Sequence, residues 1–266
     1  PIGIRPHPAH FLLELKKLKS DNPFRGKPLH QRIAHSTGTV TPPDKVRYTP
    51  RAVEKPNIYI IDFEAVQMRV GFTSRGPLFS LADLPYGEMF NEYFCSGLDS
   101  IVFQEIRESR SLAYSAYAYY GSAMEKGKYD IFMGFVATQP DKCFTAIDEM
   151  LKLFRGMPQY QAKFDNAKAN VIKSMTSERN FGDLSGIWFR ARKMGIDYDW
   201  RKNVFDKLKT LEMKDIADFA AREVAPRTYE IFIAGDIKSL DREKLKRYGA
   251  TQRGTDSLNV KATSGL

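Results

Sequence analysis

Residues 90–117 read FNEYFCSGLDSIVFQEIRESRSLAYSAY, and this stretch decides the fold. Its apolar residues first recur at the spacing of an amphipathic helix, at Phe90, Phe94, Ile101, Val102 and Ile106. They then alternate with the period of two that is typical of a half-buried strand, at Tyr114, Ala116, Ala118 and Tyr120. Gly97 is a candidate break in the helix. The sequence therefore predicts helical structure over 83–107 that passes into a strand at 112–120.

Further strands and helices surround this stretch in an order typical of layered folds. The predicted strands are 57–63, 66–73, 112–120, 129–137 and 229–235. Helices are predicted around 144–154 and 160–178, followed by three shorter ones before the last strand. The spacing between strands suits hairpins better than crossovers. We therefore predict an α+β fold with an antiparallel-rich sheet covered by helices on one face. The apolar alternation of strand 129–137 runs through Ile131, Met133 and Phe135, which should not all be exposed.

The two ends of the chain differ in composition from this middle part. Residues 1–55 contain eleven Lys and Arg against four acidic residues, which accounts for +7 of the net charge of +9. They include a short amphipathic helix predicted over 8–19 and a proline-rich connector that ends near residue 55. A polar tail is expected from Ala250 onward. Since the first residue is proline, we expect the chain to be part of a longer protein.

Composition excludes several classes of protein. At 266 residues with 42% hydrophobic residues, the chain can bury a sizeable core, so it is not a disordered protein. No stretch approaches the roughly 18 consecutive apolar residues of a membrane span. Cys95 and Cys143 are too few for a disulfide framework and are expected to be small buried hydrophobes. The residues after 55 are nearly neutral, which does not favour a nucleic-acid-binding surface. The composition is consistent with both a periplasmic and a cytoplasmic location.

The common catalytic motifs are absent from the sequence. There is no CxxC, GxxxxGK[ST], GxGxxG, GxSxG or HxxEH, so redox, nucleotide, serine-hydrolase and zinc-peptidase chemistry have no motif to carry them. All four histidines precede the predicted domain, at His7, His10, His30 and His35. Metal ligands come in sets of three or four, and this set has no suitable helical spacing. We therefore expect exposed loop histidines and no metal site in this chain.

The run Arg107-Glu-Ser-Arg-Ser-Leu-Ala-Tyr114, at a switch from helix to strand, resembles one in pitrilysin-type, insulin-degrading-type and mitochondrial-processing-type zinc peptidases. The layout of the following elements to about residue 240 is similar too. The resemblance implies a LuxS/metallohydrolase-like peptidase domain over 56–250. It also implies that 1–55 are the end of the preceding domain with its connector. Composition alone makes 251–266 the polar tail. Because HxxEH is missing, the resemblance indicates the last αβ domain of the non-catalytic half.

In that family, two similar halves close like a clamshell around a peptide, and zinc belongs to the catalytic half. The resemblance thus implies no cofactor in this chain and zinc elsewhere, in the same polypeptide or in a partner subunit. It also implies that an arginine and a tyrosine seven residues later bind the substrate backbone. Arg107 and Tyr114 have that spacing, and Arg110 is the nearest alternative to Arg107. A guanidinium and a phenol can both donate hydrogen bonds to a peptide carbonyl or its oxyanion.

Three functions are consistent with these features. The favoured one is the substrate-binding, non-catalytic portion of a zinc peptidase, whose partners are a catalytic half and a peptide substrate, with no nucleic acid and no membrane span. The second is a peptidase-like structural or assembly domain without a hydrolytic role. The third is an unrelated α+β binding module whose basic first 55 residues contact nucleic acid or anionic lipid, which would make its affinity strongly dependent on salt. Without the resemblance, Arg107 is simply a cation at a helix end and Tyr114 a strand aromatic.

Overall fold

A computed structural model of the chain describes residues 49–95, 97–108, 111–177 and 184–253. The helix predicted over 8–19, the four histidines and the tail beyond residue 253 lie outside the described residues. The described residues all belong to the compact unit that begins at Thr49. The domain limits predicted at residues 55 and 250 remain a prediction.

Six strands form one sheet in the described part of the chain. They are β1 (Asn57–Asp62), β2 (Met68–Leu78), β3 (Ala113–Gly121), β4 (Tyr129–Thr138), β5 (Glu230–Gly235) and β6 (Ala250–Arg253). Their spatial order is β3-β4-β2-β5-β1-β6. The pairs β3/β4, β2/β4 and β2/β5 are antiparallel, whereas β1 runs parallel to both β5 and β6. The predicted antiparallel-rich sheet is confirmed, and it carries a parallel edge.

Eight α-helices accompany the sheet in the described ranges. They are α1 (Leu84–Phe90), α2 (Ile101–Phe103), α3 (Cys143–Arg155), α4 (Gln161–Ser177), α5 (Leu184–Met194), α6 (Arg201–Thr210), α7 (Met213–Glu223) and α8 (Arg242–Leu245). A π-helical turn extends α1 over Asn91–Cys95, and another extends α2 over Gln104–Glu108. Among the described residues, no helix combines the length and the apolar character that crossing a bilayer requires.

The helices cover a single face of the sheet. Alternate residues of β2 and β5 are buried, including Val70, Phe72 and Ile233. They join one core with apolar side chains of the helices. The rings of Phe72 and of Phe154 from α3 pack edge to face, with their centres 5.5 Å apart. The opposite face is more open, and Tyr117 of β3 is 47% exposed there. This arrangement confirms the predicted α+β fold with helices on one face.

The face of β4 that packs on the core differs from the prediction. The predicted alternation runs through Ile131, Met133 and Phe135, but the fully buried apolar side chains of β4 are Phe132 and Val136, and Met133 is 42% exposed. Ile131 and Phe135 are half-buried, so the three residues are not all exposed, as expected. Both faces of β4 are rich in apolar residues, so the period of two does not choose between them. The register with β2 decides the face, because it sets β4 so that Phe132 and Val136 share the side of Val70 and Phe72.

The outermost strand beside β1 also differs from the prediction. We expected a loose polar tail from Ala250, but Ala250–Arg253 form β6, parallel to β1. An edge strand needs only backbone hydrogen bonds from its neighbour, so a polar sequence without alternation can take this place. Gly249 precedes β6 with φ +133, and a Cβ there would clash with the Pro56 carbonyl oxygen. This close approach explains why glycine is found at the start of β6.

Candidate functional site

The two residues predicted from the sequence, Arg107 and Tyr114, line the same surface cavity of about 280 Å³. The cavity lies where the helical segment after Gly97 passes into β3, and Gln139 and Lys142 close its other side. Arg110, the alternative arginine, lies outside the described residues. The structure therefore brings the predicted pair together and adds two residues that the sequence analysis missed.

Arg107 is presented by a short, well-anchored helical segment. Gly97 has φ +95 and breaks the helix as predicted, after which the Ser100 hydroxyl caps α2 by accepting a hydrogen bond from the Phe103 backbone N–H. The apolar side chains on the inner side of this segment are fully buried: Ile101, Val102 and Ile106. The Arg107 guanidinium lies 4.9 Å from the centre of the Phe103 ring, and its Nε is 3.6 Å from a Glu108 carboxylate oxygen. The side chain remains 44% exposed, so its donors can reach a ligand.

The turn between Arg107 and Tyr114 contains a strained residue. Ser111 has φ +48, a left-handed conformation that costs a non-glycine residue roughly 1–2 kcal/mol. Its backbone N–H donates to the Arg107 carbonyl at 3.1 Å, and its own carbonyl accepts from the Lys142 ammonium at 3.1 Å. The next N–H, of Leu112, donates to the Ile106 carbonyl at 3.1 Å. These bonds hold the chain in a conformation that serine does not favour.

Tyr114 sits in a β-bulge at the start of β3. Ala113 pairs with Thr138 and Ser115 pairs with Ala137, so Tyr114 is an extra residue with no opposite partner in β4. By simple alternation Tyr114 would share the buried side of Ala116 and Ala118, yet it is 51% exposed. A hydrogen bond from the core side holds the bulge in place. The hydroxyl of the fully buried Thr138 donates this bond to the Leu112 carbonyl. The bulge thus turns the phenol out of the core and into the cavity.

Gln139 and Lys142 reach the site through the β3/β4 hairpin. Gln139 follows the last residue of β4, and its side-chain Nε2 donates to the Tyr114 hydroxyl oxygen at 3.2 Å. Lys142 ends the 3₁₀ turn Pro140–Lys142 and contacts the Ser111 carbonyl as described. No sequence motif marks these two residues. The signal that could have found them is the hairpin itself, since the antiparallel register brings the end of β4 beside the start of β3.

The cavity is rich in hydrogen-bond donors. A guanidinium, an ammonium, an amide and a phenol surround it, and Glu108 contributes the one carboxylate among its lining residues. Such a set suits a ligand that offers acceptor oxygens, such as a peptide carbonyl or carboxylate. No group of three or more His, Cys, Asp and Glu within the described ranges could hold a metal ion. Together with the absence of HxxEH, these residues do not fit a zinc site.

Larger cavities and ionisable groups with shifted pKa values occur elsewhere in the described residues. In a groove of about 840 Å³ between α1, α6 and α7, Arg222 pairs with Asp83 at 2.7 Å. Burial raises the pKa of Asp130, which accepts a hydrogen bond from the Tyr120 hydroxyl at 3.0 Å. Both cysteines are buried as expected, and burial raises the pKa of the Cys143 thiol to about 12. Tyr120, Asp130 and both cysteines are buried, so these groups belong to the interior of the protein.

Comparisons with known proteins agree with the fold. A family model described as the peptidase M16 inactive domain matches residues 14–171. A peptidase M16 inactive domain from Pseudomonas fluorescens is 18% identical, covers 71% of this chain and 45% of that chain, and has a TM-score of 0.59. A protease from Helicobacter pylori is 16% identical and has a TM-score of 0.55. The match covers 67% of this chain and 43% of that chain. A chain of Complex III2 from Candida albicans is 17% identical and has a TM-score of 0.51. The match covers 73% of this chain and 49% of that chain.

These structural similarities, at identities this low, show the fold alone. This chain spans less than half of the length of the three similar structures. No curated protein sequence matches it. The family resemblance seen in the helix-to-strand run is confirmed, and the matched region begins at residue 14, earlier than the stretch after residue 56 on which the resemblance was based. Since the family model covers more than half of the 266 residues, the chain belongs to the peptidase M16 inactive domain family.

Proposed function

We propose that this chain is the substrate-binding, non-catalytic portion of a zinc-dependent peptidase that cleaves peptides inside a clamshell chamber. The observation that carries the proposal is the convergence of Arg107 and Tyr114 on one donor-rich cavity. Their spacing of seven residues alone would not require this, because a helix end, a turn and a strand separate the two side chains. The strained turn and the bulge that expose them support a binding role, since such irregularities cluster at functional sites.

In this proposal the two side chains bind the backbone of an extended peptide. Arg107 offers a fixed charge and Tyr114 a neutral donor, so a carbonyl oxygen between them would gain two hydrogen bonds. These bonds strengthen as the carbonyl becomes an oxyanion during hydrolysis. A catalytic half, in the same polypeptide or in a partner subunit, would hold the zinc, which activates the attacking water. The role of this chain is to orient the peptide and stabilise its developing charge.

A structural role is the second candidate. Complex III2 from Candida albicans shares the fold of this chain, so the fold occurs within a protein complex. A domain of this kind could contribute surfaces for assembly and hydrolyse nothing. In that case the exposed donors of the cavity would have no ligand, and replacing them would leave every activity of the parent protein unchanged.

Peptide binding by the purified chain distinguishes these candidates. The probe is an unstructured 12-residue peptide rich in glycine and serine, labelled with fluorescein and followed by anisotropy. We expect Arg107→Ala to weaken its binding by about 10- to 100-fold, as for a hydrogen bond from a charged group, and Tyr114→Phe by about 2- to 10-fold. Arg69→Ala, which removes an exposed arginine of β2, is the matched control. Absence of binding, or equal affinity for all variants, would support the structural role.

A further inference from the structure

The hydrogen bond between Gln139 and Tyr114 has a defined polarity. The Gln139 Nε2 donates, and the Tyr114 hydroxyl oxygen accepts, over 3.2 Å. An amide nitrogen carries no lone pair that can accept in return, so this bond leaves the hydroxyl proton unused. The Tyr114 side chain makes no other hydrogen bond among the described residues. Its proton is thus available to a ligand, on a hydroxyl whose oxygen is already held.

The backbone around Gln139 is fixed more firmly than its exposed side chain suggests. Thr138 before it is fully buried and bonded to the Leu112 carbonyl. Pro140 after it begins a 3₁₀ turn in which the Lys142 N–H donates to the Gln139 carbonyl at 3.1 Å. Proline restricts the backbone at its own position and at the residue before it. Gln139 is therefore held between a buried strand end and a rigid turn, facing the bulge that carries Tyr114.

We infer that Gln139 is a positioning residue, which fixes the Tyr114 hydroxyl with its proton directed to the bound peptide. This inference rests on the proposed function. Donation from the amide to the phenol oxygen also polarises the O–H bond, which makes Tyr114 a stronger donor. Without Gln139 the hydroxyl would rotate freely or bond to water. It would then be ordered only when the peptide binds, and part of the binding free energy would be lost.

Reversing the polarity of the bond is the sharpest test. In Gln139→Glu, the carboxylate can only accept hydrogen bonds at neutral pH. The Tyr114 hydroxyl would then donate its hydrogen bond to this carboxylate and not to the ligand. In Gln139→Met, the side chain keeps a similar length but has no donor. For the fluorescein-labelled peptide defined above, we expect Gln139→Glu to weaken binding as much as Tyr114→Phe, about 2- to 10-fold, and Gln139→Met to weaken it less, by about 2-fold.

A double-mutant cycle separates positioning from general damage. If Gln139 acts through the phenol, Gln139→Glu and Gln139→Met should cause no further loss in the Tyr114→Phe background. An undiminished effect there, or wild-type affinity in Gln139→Glu alone, would overturn the inference. Gln159→Glu, at an exposed glutamine before α4 that makes no side-chain hydrogen bond among the described residues, controls for the added negative charge. Thermal melting of each variant should stay within about 2 °C of wild type, as expected for exposed substitutions.

A measurement without peptide distinguishes failure of this inference from failure of the proposed function. The side-chain amide resonance of Gln139 in an ¹H–¹⁵N spectrum should shift when Tyr114→Phe removes its acceptor. An unchanged resonance would show that the bond is absent and would overturn the positioning role, even if peptide binding depends on Tyr114. If the resonance shifts but neither Arg107→Ala nor Tyr114→Phe alters binding, the proposed function fails, and the ligand-directed role of Gln139 fails with it.

Discussion

Replacing Ser111 by glycine should stabilise the chain and weaken its peptide binding at the same time. The φ of +48 costs serine roughly 1–2 kcal/mol, and glycine adopts it freely. Glycine in turn loses more backbone entropy on folding, by about 0.5–1 kcal/mol. Ser111 is exposed, and its side chain makes no hydrogen bond among the described residues, so no side-chain hydrogen bond is lost. The net gain should be about 0.5–1 kcal/mol, which corresponds to about 1–4 °C in Tm for a domain of this size.

Weaker binding follows from the place of Ser111 between the two donors. A glycine at this turn would let the chain sample other conformations in the free state, so the relative placement of Arg107 and Tyr114 would be less fixed before the peptide arrives. We expect about 2- to 5-fold lower affinity for the unstructured peptide, since preorganisation would be lost. Thermal and urea unfolding measure the stability, and fluorescence anisotropy measures the affinity.

The same substitution at a strand residue without a positive φ provides the control. Ser115 is an exposed residue of β3 in extended backbone, and Ser115→Gly should destabilise the chain by about 0.5–1 kcal/mol. The two glycine variants should therefore shift Tm in opposite directions. A fall in Tm for Ser111→Gly would refute the strain argument, and an affinity equal to that of wild type would refute the link between the turn and binding.

Three further predictions concern the core and the chemistry of the isolated chain. Gly134→Ala should lower stability by about 1–3 kcal/mol in urea unfolding, because the added Cβ would lie 2.5 Å from the Phe154 ring; wild-type stability would show that α3 can move away. The purified chain should bind no stoichiometric zinc and cleave no fluorogenic peptide, and tight zinc binding in metal analysis would contradict this. Cys95 and Cys143 should react with a thiol reagent only on unfolding, because burial raises the pKa of both thiols, and rapid labelling of the native chain would contradict their burial.

The fold was predictable wherever the apolar pattern allowed one reading. The alternation in β2, with Met68, Val70 and Phe72 inside, and the switch from helix to strand after residue 107 were found from spacing alone. The buried face of β4 was missed because consecutive apolar residues occupy both faces, and only pairing with β2 resolves them. β6 was missed because a parallel edge strand depends on a neighbour distant in sequence, β1, and needs no apolar pattern of its own.

The candidate site was predictable only in part. Arg107 and Tyr114 were identified through a family resemblance, and the structure shows that they line one cavity. Nothing local in the sequence indicates the left-handed Ser111, because serine does not favour this conformation and tertiary bonds impose it. The bulge and Gln139 depend on the register of the β3/β4 hairpin, which one strand alone does not reveal.

The most direct test of the proposed substrate binding is the turnover, after Tyr114→Phe, of the complete peptidase and catalytic half that the proposal implies. This change keeps the ring and deletes only the hydroxyl, whereas Arg107→Ala also removes a stem that packs on Phe103. We predict that kcat falls about 10²-fold in each variant, as for single oxyanion donors, while Tm stays unchanged in Tyr114→Phe, and that Arg110→Ala, measured alongside, has a smaller effect. Near-normal kcat and kcat/KM together with a lower Tm would contradict the claim and assign the pair to the scaffold.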